Sequence, residues 1–197
     1  MNRFESLLAA VHQCTICEKH LQHGVRPVLQ IDPKAKVLIV GQAPGRKVHE
    51  SGVPFDDASG DRLRDWMGVT REVFYDAEQI AILPMGFCYP GKGKSGDLPP
   101  RPECAPAWRD QLLSHLSNVE LTLLIGQYAQ AYHLKQKPVS LTETVRGWRT
   151  YSPDMIPVPH PSPRNNIWLS KNPWFEKELL PELRRQVHRV LATPLVE

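Results

Sequence analysis

The sequence predicts an α/β fold built on a parallel sheet that helices cover on both faces. Three observations carry this. Short apolar runs alternate with helix-length amphipathic segments along the chain, which is the pattern of βαβ units. Two of the runs, Val37 to Val40 and Met155 to Val158, lead into loops stiffened by glycine and proline: Gly41-Gln42-Ala43-Pro44-Gly45 and His160-Pro161-Ser162-Pro163-Arg164-Asn165. Open α/β sheets place their ligand sites at such strand ends. The 197 residues are most simply a single domain, 1–197, long enough to bury a proper core.

The elements follow in order. Phe4, Leu7, Leu8 and Val11 recur at helical spacing and give a first helix that stops near Cys14. Lys36 to Gly41 reads as a buried strand between Pro33 and the Gly-Pro loop. Ser59 is the expected cap of a helix through about Met67, with Leu63 and Trp66 inward. Gln79 to Leu83 is a second strand. Pro102 suits the first turn of a helix carrying Trp108, Leu112, Leu113 and Leu116. Leu121 to Ile125 is a third strand, which Gly126 turns into a helix with Ala129 and Tyr132. A fourth strand ends at Val158. The last helix runs from Asn172 or Pro173 to Val190, with Leu179, Leu180, Leu183, Val187 and Val190 as its apolar stripe.

A formal net charge of +3 permits a polyanionic partner without demanding one. No apolar run approaches the roughly 20 residues needed to span a bilayer. The N-terminal segment carries Glu5 among its apolar residues and lacks the long uncharged stretch of a secretory signal. A cytoplasmic monomer without a membrane partner is the expectation. Proline, 19 residues in all, clusters at 84–106 and 153–173, where interspersed apolar and aromatic residues point to ordered loops.

The four cysteines are Cys14 and Cys17, spaced C-x2-C, and Cys88 and Cys104, with fifteen residues between them. A C-x2-C pair on a turn can chelate one metal centre, and a distant pair completes four sulfur ligands. Small buried apolar cysteines are the competing reading. It is weakened by the polar company of Cys14 and Cys17, which sit among Gln13, Thr15, Glu18 and Lys19. Zinc and an iron–sulfur cluster both accept four cysteines, so the residues leave that choice open.

Taken together, Cys14-x2-Cys17, GQAPG, Cys88-x15-Cys104 and HPSPRN resemble the layout of the iron–sulfur family-4 enzymes of the uracil-DNA glycosylase superfamily. The similarity runs collinearly over about residues 10 to 190. It implies a three-layer α/β/α sandwich with a central four-stranded parallel sheet. It also implies a [4Fe–4S] cluster on Cys14, Cys17, Cys88 and Cys104 in preference to zinc. The implied activity is hydrolysis, by a monofunctional DNA glycosylase, of the bond between deoxyribose and uracil or another damaged or modified base. No lysine stands at a motif position where a Schiff-base lyase would need one. Two alternatives are a superfamily member that grips damaged or single-stranded DNA with little cleavage, and an enzyme acting on a base outside DNA.

Such a reaction needs an extruded nucleotide, donors where the base gains negative charge, and a positioned water at the sugar. By resemblance, His160 donates to the base O2, and Ser162 and Arg164 contact the backbone or fill the vacated stack. Gly41 and Ala43 give close backbone approach to the base, and Phe55, in Gly52-Val53-Pro54-Phe55, stacks on it. The family carries Glu where this chain has Gln42, and a Glu-Asp pair where it has Val48-His49. His49 is the expected substitute base or electrostatic partner, with Gln42 beside it. Lys47, Glu50, Asp56 and Asp57 stand nearby in what reads as a solvated stretch. The family's uracil-reading Asn aligns with Pro84, which has neither a side-chain amide nor a backbone N–H. Lys92 and Lys94, in the glycine-rich segment after Cys88, together with Lys171, are the remaining candidates for DNA contact. Trp168 and Trp174 read as local packing.

Overall fold

The computed structural model describes residues 2–134 and 140–192. Four strands form one parallel sheet: β1 (Val37–Val40), β2 (Ile80–Ile82), β3 (Leu121–Ile125) and β4 (Met155–Val158), in the spatial order β2-β1-β3-β4. Val37 lies opposite Ile80 on one side and Leu121 on the other, and Thr122 lies opposite Met155. The sheet is buried on both faces, so its strands are near-continuous apolar runs. Alternation then sorts them. Val37, Ile39, Ile80, Ile82, Leu121 and Leu123 pack in one core; Leu38, Val40, Ala81 and Leu124 pack in the other.

Helices complete the sandwich. The first core takes Leu63, Trp66 and Met67 from α3 (Ala58–Met67) and Leu183, Val187 and Val190 from α9 (Leu180–Leu191). The second takes Val11 from α1 (Arg3–His12), Leu112 from α5 (Cys104–Leu113) and Ala129 from α6 (Gly126–His133). The predicted three-layer α/β/α architecture is the one observed. Among the described residues no helix is long and apolar enough to cross a membrane.

Several boundaries differ from the sequence reading. The cap of α3 is Asp57, whose Oδ1 accepts the Gly60 N–H at 2.9 Å; Ser59 is buried one position inside the helix. Both residue types cap well, and only the three-dimensional turn decides between them. Helix α5 begins at Cys104, two residues past Pro102, and ends before Leu116. The last helix is broken in character. Pro181 has no N–H to bond back to Lys177, and the chain makes a π turn over Phe175–Leu179 before α9. Four short helices, α2 (Arg46–Ser51), α4 (Arg71–Phe74), α7 (Leu141–Arg146) and α8 (Asn166–Lys171), were not predicted, because six residues or fewer show no apolar period. Trp168 and Trp174 pack edge to face at 5.9 Å against the first core.

Candidate functional site

The loops after β1, β2 and β4 emerge at one edge of the sheet and enclose a cavity of about 480 Å³. Its walls include Gly41, Gln42 and Ala43 from the first loop, Pro84 after β2, and His160, Ser162, Arg164 and Asn165 after β4. Phe55 closes another side. The volume is in the range of small-ligand pockets.

Phe55 is held by a strained turn. Its φ of 54° is rare for a residue with a side chain, and its neighbours enforce it. The Phe55 carbonyl accepts from Arg64 Nη1, and the preceding Pro54 carbonyl accepts the Tyr75 hydroxyl at 2.9 Å. Gly60 makes the turn possible, because a Cβ there would lie 1.7 Å from the Phe55 carbonyl oxygen. The ring rests 3.4 Å from the Cβ position of Gly41 and meets Phe74 edge to face. An aromatic face is thereby fixed beside the bare backbone of the first loop.

His160 is fixed from both ends. Its Nδ1 accepts the Ser162 backbone N–H at 3.1 Å, and its carbonyl accepts Asn165 Nδ2 at 2.7 Å. A neutral ring that accepts at Nδ1 carries its proton on Nε2, which becomes the donor. Burial pushes the His160 pKa below the usual histidine value, outweighing the opposite pull of Asp57 and Asp97. His160 is therefore neutral at pH 7, with an N–H to offer.

Gln42 and Pro84 have other engagements. Gln42 Nε2 donates to the Leu98 carbonyl at 3.1 Å. The Pro84 carbonyl accepts Arg109 Nη1 at 3.0 Å, and the Leu83 carbonyl accepts both terminal nitrogens of Arg109 at 3.1 Å. Arg109 is fully buried, and desolvation lowers its pKa to about 10. Its Nη2 also lies 3.1 Å from His133 Nε2, and burial, reinforced by this guanidinium, depresses His133 to about 4.

The remaining predicted residues divide. Ser162 and Arg164 line the cavity; Lys92, Lys94 and Lys171 are exposed and do not. His49 does not line it either. Its Nε2 lies 3.1 Å from the His23 carbonyl, its ring packs near His23 and Tyr89, and its Nδ1 is buried without a partner. Helix α2 turns Arg46, Lys47 and Val48 toward the cavity, which sends the next side chain elsewhere. Sequence reasoning missed two carboxylates on the wall, Asp57 and Asp97. Asp57 passed for a solvated residue, and Asp97, though visible in the glycine-rich segment, carried no signal of its own.

The four cysteines line a second, small apolar cavity with Ile16, Pro27, Phe87 and Trp108. All four are free thiols. Two sulfurs accept N–H donors: Cys14 from Trp108 Nε1 at 3.2 Å and Cys104 from the Phe87 backbone at 3.4 Å. Burial raises Cys88 to about 11 and Cys104 to about 12. Among the described residues, no group of three or more His, Cys, Asp or Glu side chains is arranged to hold a metal ion.

Fold and cavity define a class: an α/β protein with a ligand site at the carboxyl edge of a parallel sheet, walled by an aromatic ring and headed by a neutral histidine. The family model of the uracil DNA glycosylase superfamily matches residues 29–184, and the chain belongs to that superfamily. A type-4 uracil-DNA glycosylase of Thermotoga maritima is 28% identical over 158 residues, covering 77% of this chain and 78% of that protein.

Proposed function

We propose that the protein is a monofunctional DNA glycosylase that hydrolyses the N-glycosidic bond of a damaged or modified base. The observation that carries the reading is His160, neutral and proton-bearing at Nε2, in a cavity that Phe55 also lines. A base entering the cavity stacks on Phe55 and presents a carbonyl to His160. As the bond to C1′ breaks, charge builds on that carbonyl and the hydrogen bond strengthens, so the donor favours the transition state over the ground state. Ser162 and Arg164 at the rim, and Lys92, Lys94 and Lys171 outside it, serve the DNA backbone. His49 acts indirectly, through its packing on Tyr89, and Gln42 by holding the loop that ends at Leu98.

Substrate choice departs from uracil in this proposal. Pro84 offers the cavity no donor, and its carbonyl is already bound by Arg109. A base whose recognition does not depend on that position is the better fit. The test is a panel of single- and double-stranded oligonucleotides carrying different modified bases, with free base identified by mass spectrometry. Release of at least one base supports the reading. Tight binding with no release from any substrate would replace it with that of a damage-binding protein, which the loss of a base reader at Pro84 favours.

The four cysteines are proposed to hold a [4Fe–4S] cluster. The fit rests on four sulfurs lining one apolar void, with N–H donors on two of them. A single tetrahedral zinc would need sulfurs about 3.8 Å apart, from a Zn–S bond of about 2.3 Å, whereas a polynuclear cluster needs a wider cage. When bound, the cluster supplies a cross-link between the segment after α1 and both ends of the 88–104 loop.

A further inference from the structure

Hydrolysis, as proposed above, needs more than a donor at the departing base. A water has to be held at the sugar carbon and relieved of a proton. Gln42, Val48 and His49 supply no carboxylate for this, and two others face the cavity, Asp57 and Asp97. Asp57 is occupied, since its Oδ1 caps α3 through the Gly60 N–H.

Asp97 is placed differently. It stands on a tight hairpin in which Lys92 and Asp97 form an antiparallel bridge. The Gly93 N–H donates to the Gly96 carbonyl at 2.6 Å, and the Leu98 N–H to the Gly91 carbonyl at 2.9 Å. Gln42 Nε2, bound to the Leu98 carbonyl, pins the hairpin to the first loop. The Asp97 carboxylate oxygen Oδ2 lies 3.5 Å from the Cβ position of Gly45. On the other side, the Cβ position of Gly96 lies 3.1 Å from Arg164 Nη1. Gly96 has φ of +146°, a conformation that side chains rarely adopt. The hairpin thus bridges the β1 and β4 loops over the cavity mouth. Burial first, and then the negative charge of the neighbouring Asp97 carboxylate, raise the Tyr89 pKa, so the phenol beside Asp97 stays protonated. Asp97 is itself solvent-accessible, as a group that meets a water must be.

We propose that Asp97 is the general base of this site, replacing the carboxylates that the first loop lacks; the assignment rests on the glycosylase reading. As the water oxygen bonds to C1′, its proton passes to the Asp97 carboxylate. The electron pair of the C1′–N bond leaves with the base, whose carbonyl is held by the Nε2–H of His160. The base anion then takes a proton from solvent, and Asp97 returns its own. One water is consumed, and a free base and an abasic deoxyribose are formed.

The experiment is single-turnover base release, with anisotropy binding in parallel, on an oligonucleotide carrying the base that the unmodified protein releases fastest. Asp97→Asn should lower the rate by about 10² or more, the usual worth of a general base, with affinity changed by less than about threefold. Asp97→Glu should recover at least about tenfold of that loss. Asp57→Asn, which keeps an effective cap, should cost at least about tenfold less than Asp97→Asn. Release by Asp97→Asn within about threefold of the unmodified protein would overturn the assignment alone, as would a larger loss in Asp57→Asn. If the unmodified protein releases no base, the glycosylase reading falls and the assignment falls with it.

Discussion

Replacing Gly60 with Ala tests whether the position of Phe55 governs the site. The added methyl would lie 1.7 Å from the Phe55 carbonyl oxygen, 2.7 Å from its carbonyl carbon and 2.9 Å from its Cβ. An ordinary contact begins at about 3.4 Å, so the Phe55 peptide must retreat by roughly the difference, about 1.7 Å. That peptide is bound by Arg64 and already sits at positive φ, so it has little room to yield. Overpacking of this kind costs about 1–3 kcal/mol of stability. The retreat also carries the ring away from Gly41. Loss of base stacking is worth about 1–3 kcal/mol, or about five- to 160-fold in transition-state stabilisation, at 1.36 kcal/mol per tenfold. The assay pairs thermal unfolding with single-turnover base release for Gly60→Ala and Phe55→Ala. Both variants should lose release to a similar extent. A Gly60→Ala protein that is less stable yet releases base within about threefold of the unmodified rate would refute the reasoning.

Other predictions follow from the buried groups. His133 is depressed to about 4, so the folded state binds its proton later than the unfolded state does. Its contribution to stability is complete above the unfolded value of about 6.5 and is lost as pH falls toward 4. Thermal scans across this window should show a decline that His133→Gln flattens; an unchanged decline would place its origin elsewhere. The cysteine quartet predicts a brown protein when purified without oxygen, with about four iron and four sulfide per chain. Stoichiometric zinc with no visible absorption would overturn the cluster, and Cys88→Ala should cost solubility before any chemical step. Uracil release should be slow or absent beside that of the preferred base, and rapid uracil excision would contradict the role given to Pro84.

The strands were readable because strands buried on both faces are uninterrupted apolar runs, as Val37–Val40 and Leu121–Ile125 are. The two loops were readable because glycine and proline declare a fixed backbone directly after such a run. The cap of α3 was misplaced because Asp57 and Ser59 are equally good caps two residues apart. Contacts made only in three dimensions left no trace. Arg109 looks like any helix arginine until its guanidinium is found on the carbonyls of Leu83 and Pro84. Asp97 reaches the cavity only because a hairpin folds over a loop fifty residues earlier in the chain. His49 stands where the family carries a carboxylate, and a matching position in the sequence does not show which way α2 turns the side chain: Val48 lines the cavity and His49 does not.

The measurement closest to the central claim compares the unmodified protein with His160→Ala on whichever base the panel identifies. Single-turnover release and oligonucleotide affinity are read on the same substrate. Release should fall by about 10² to 10³ while affinity stays within about threefold, because the Nε2–H bond strengthens only as charge develops. Equal losses in release and affinity, or release that persists undiminished without His160, would contradict the account.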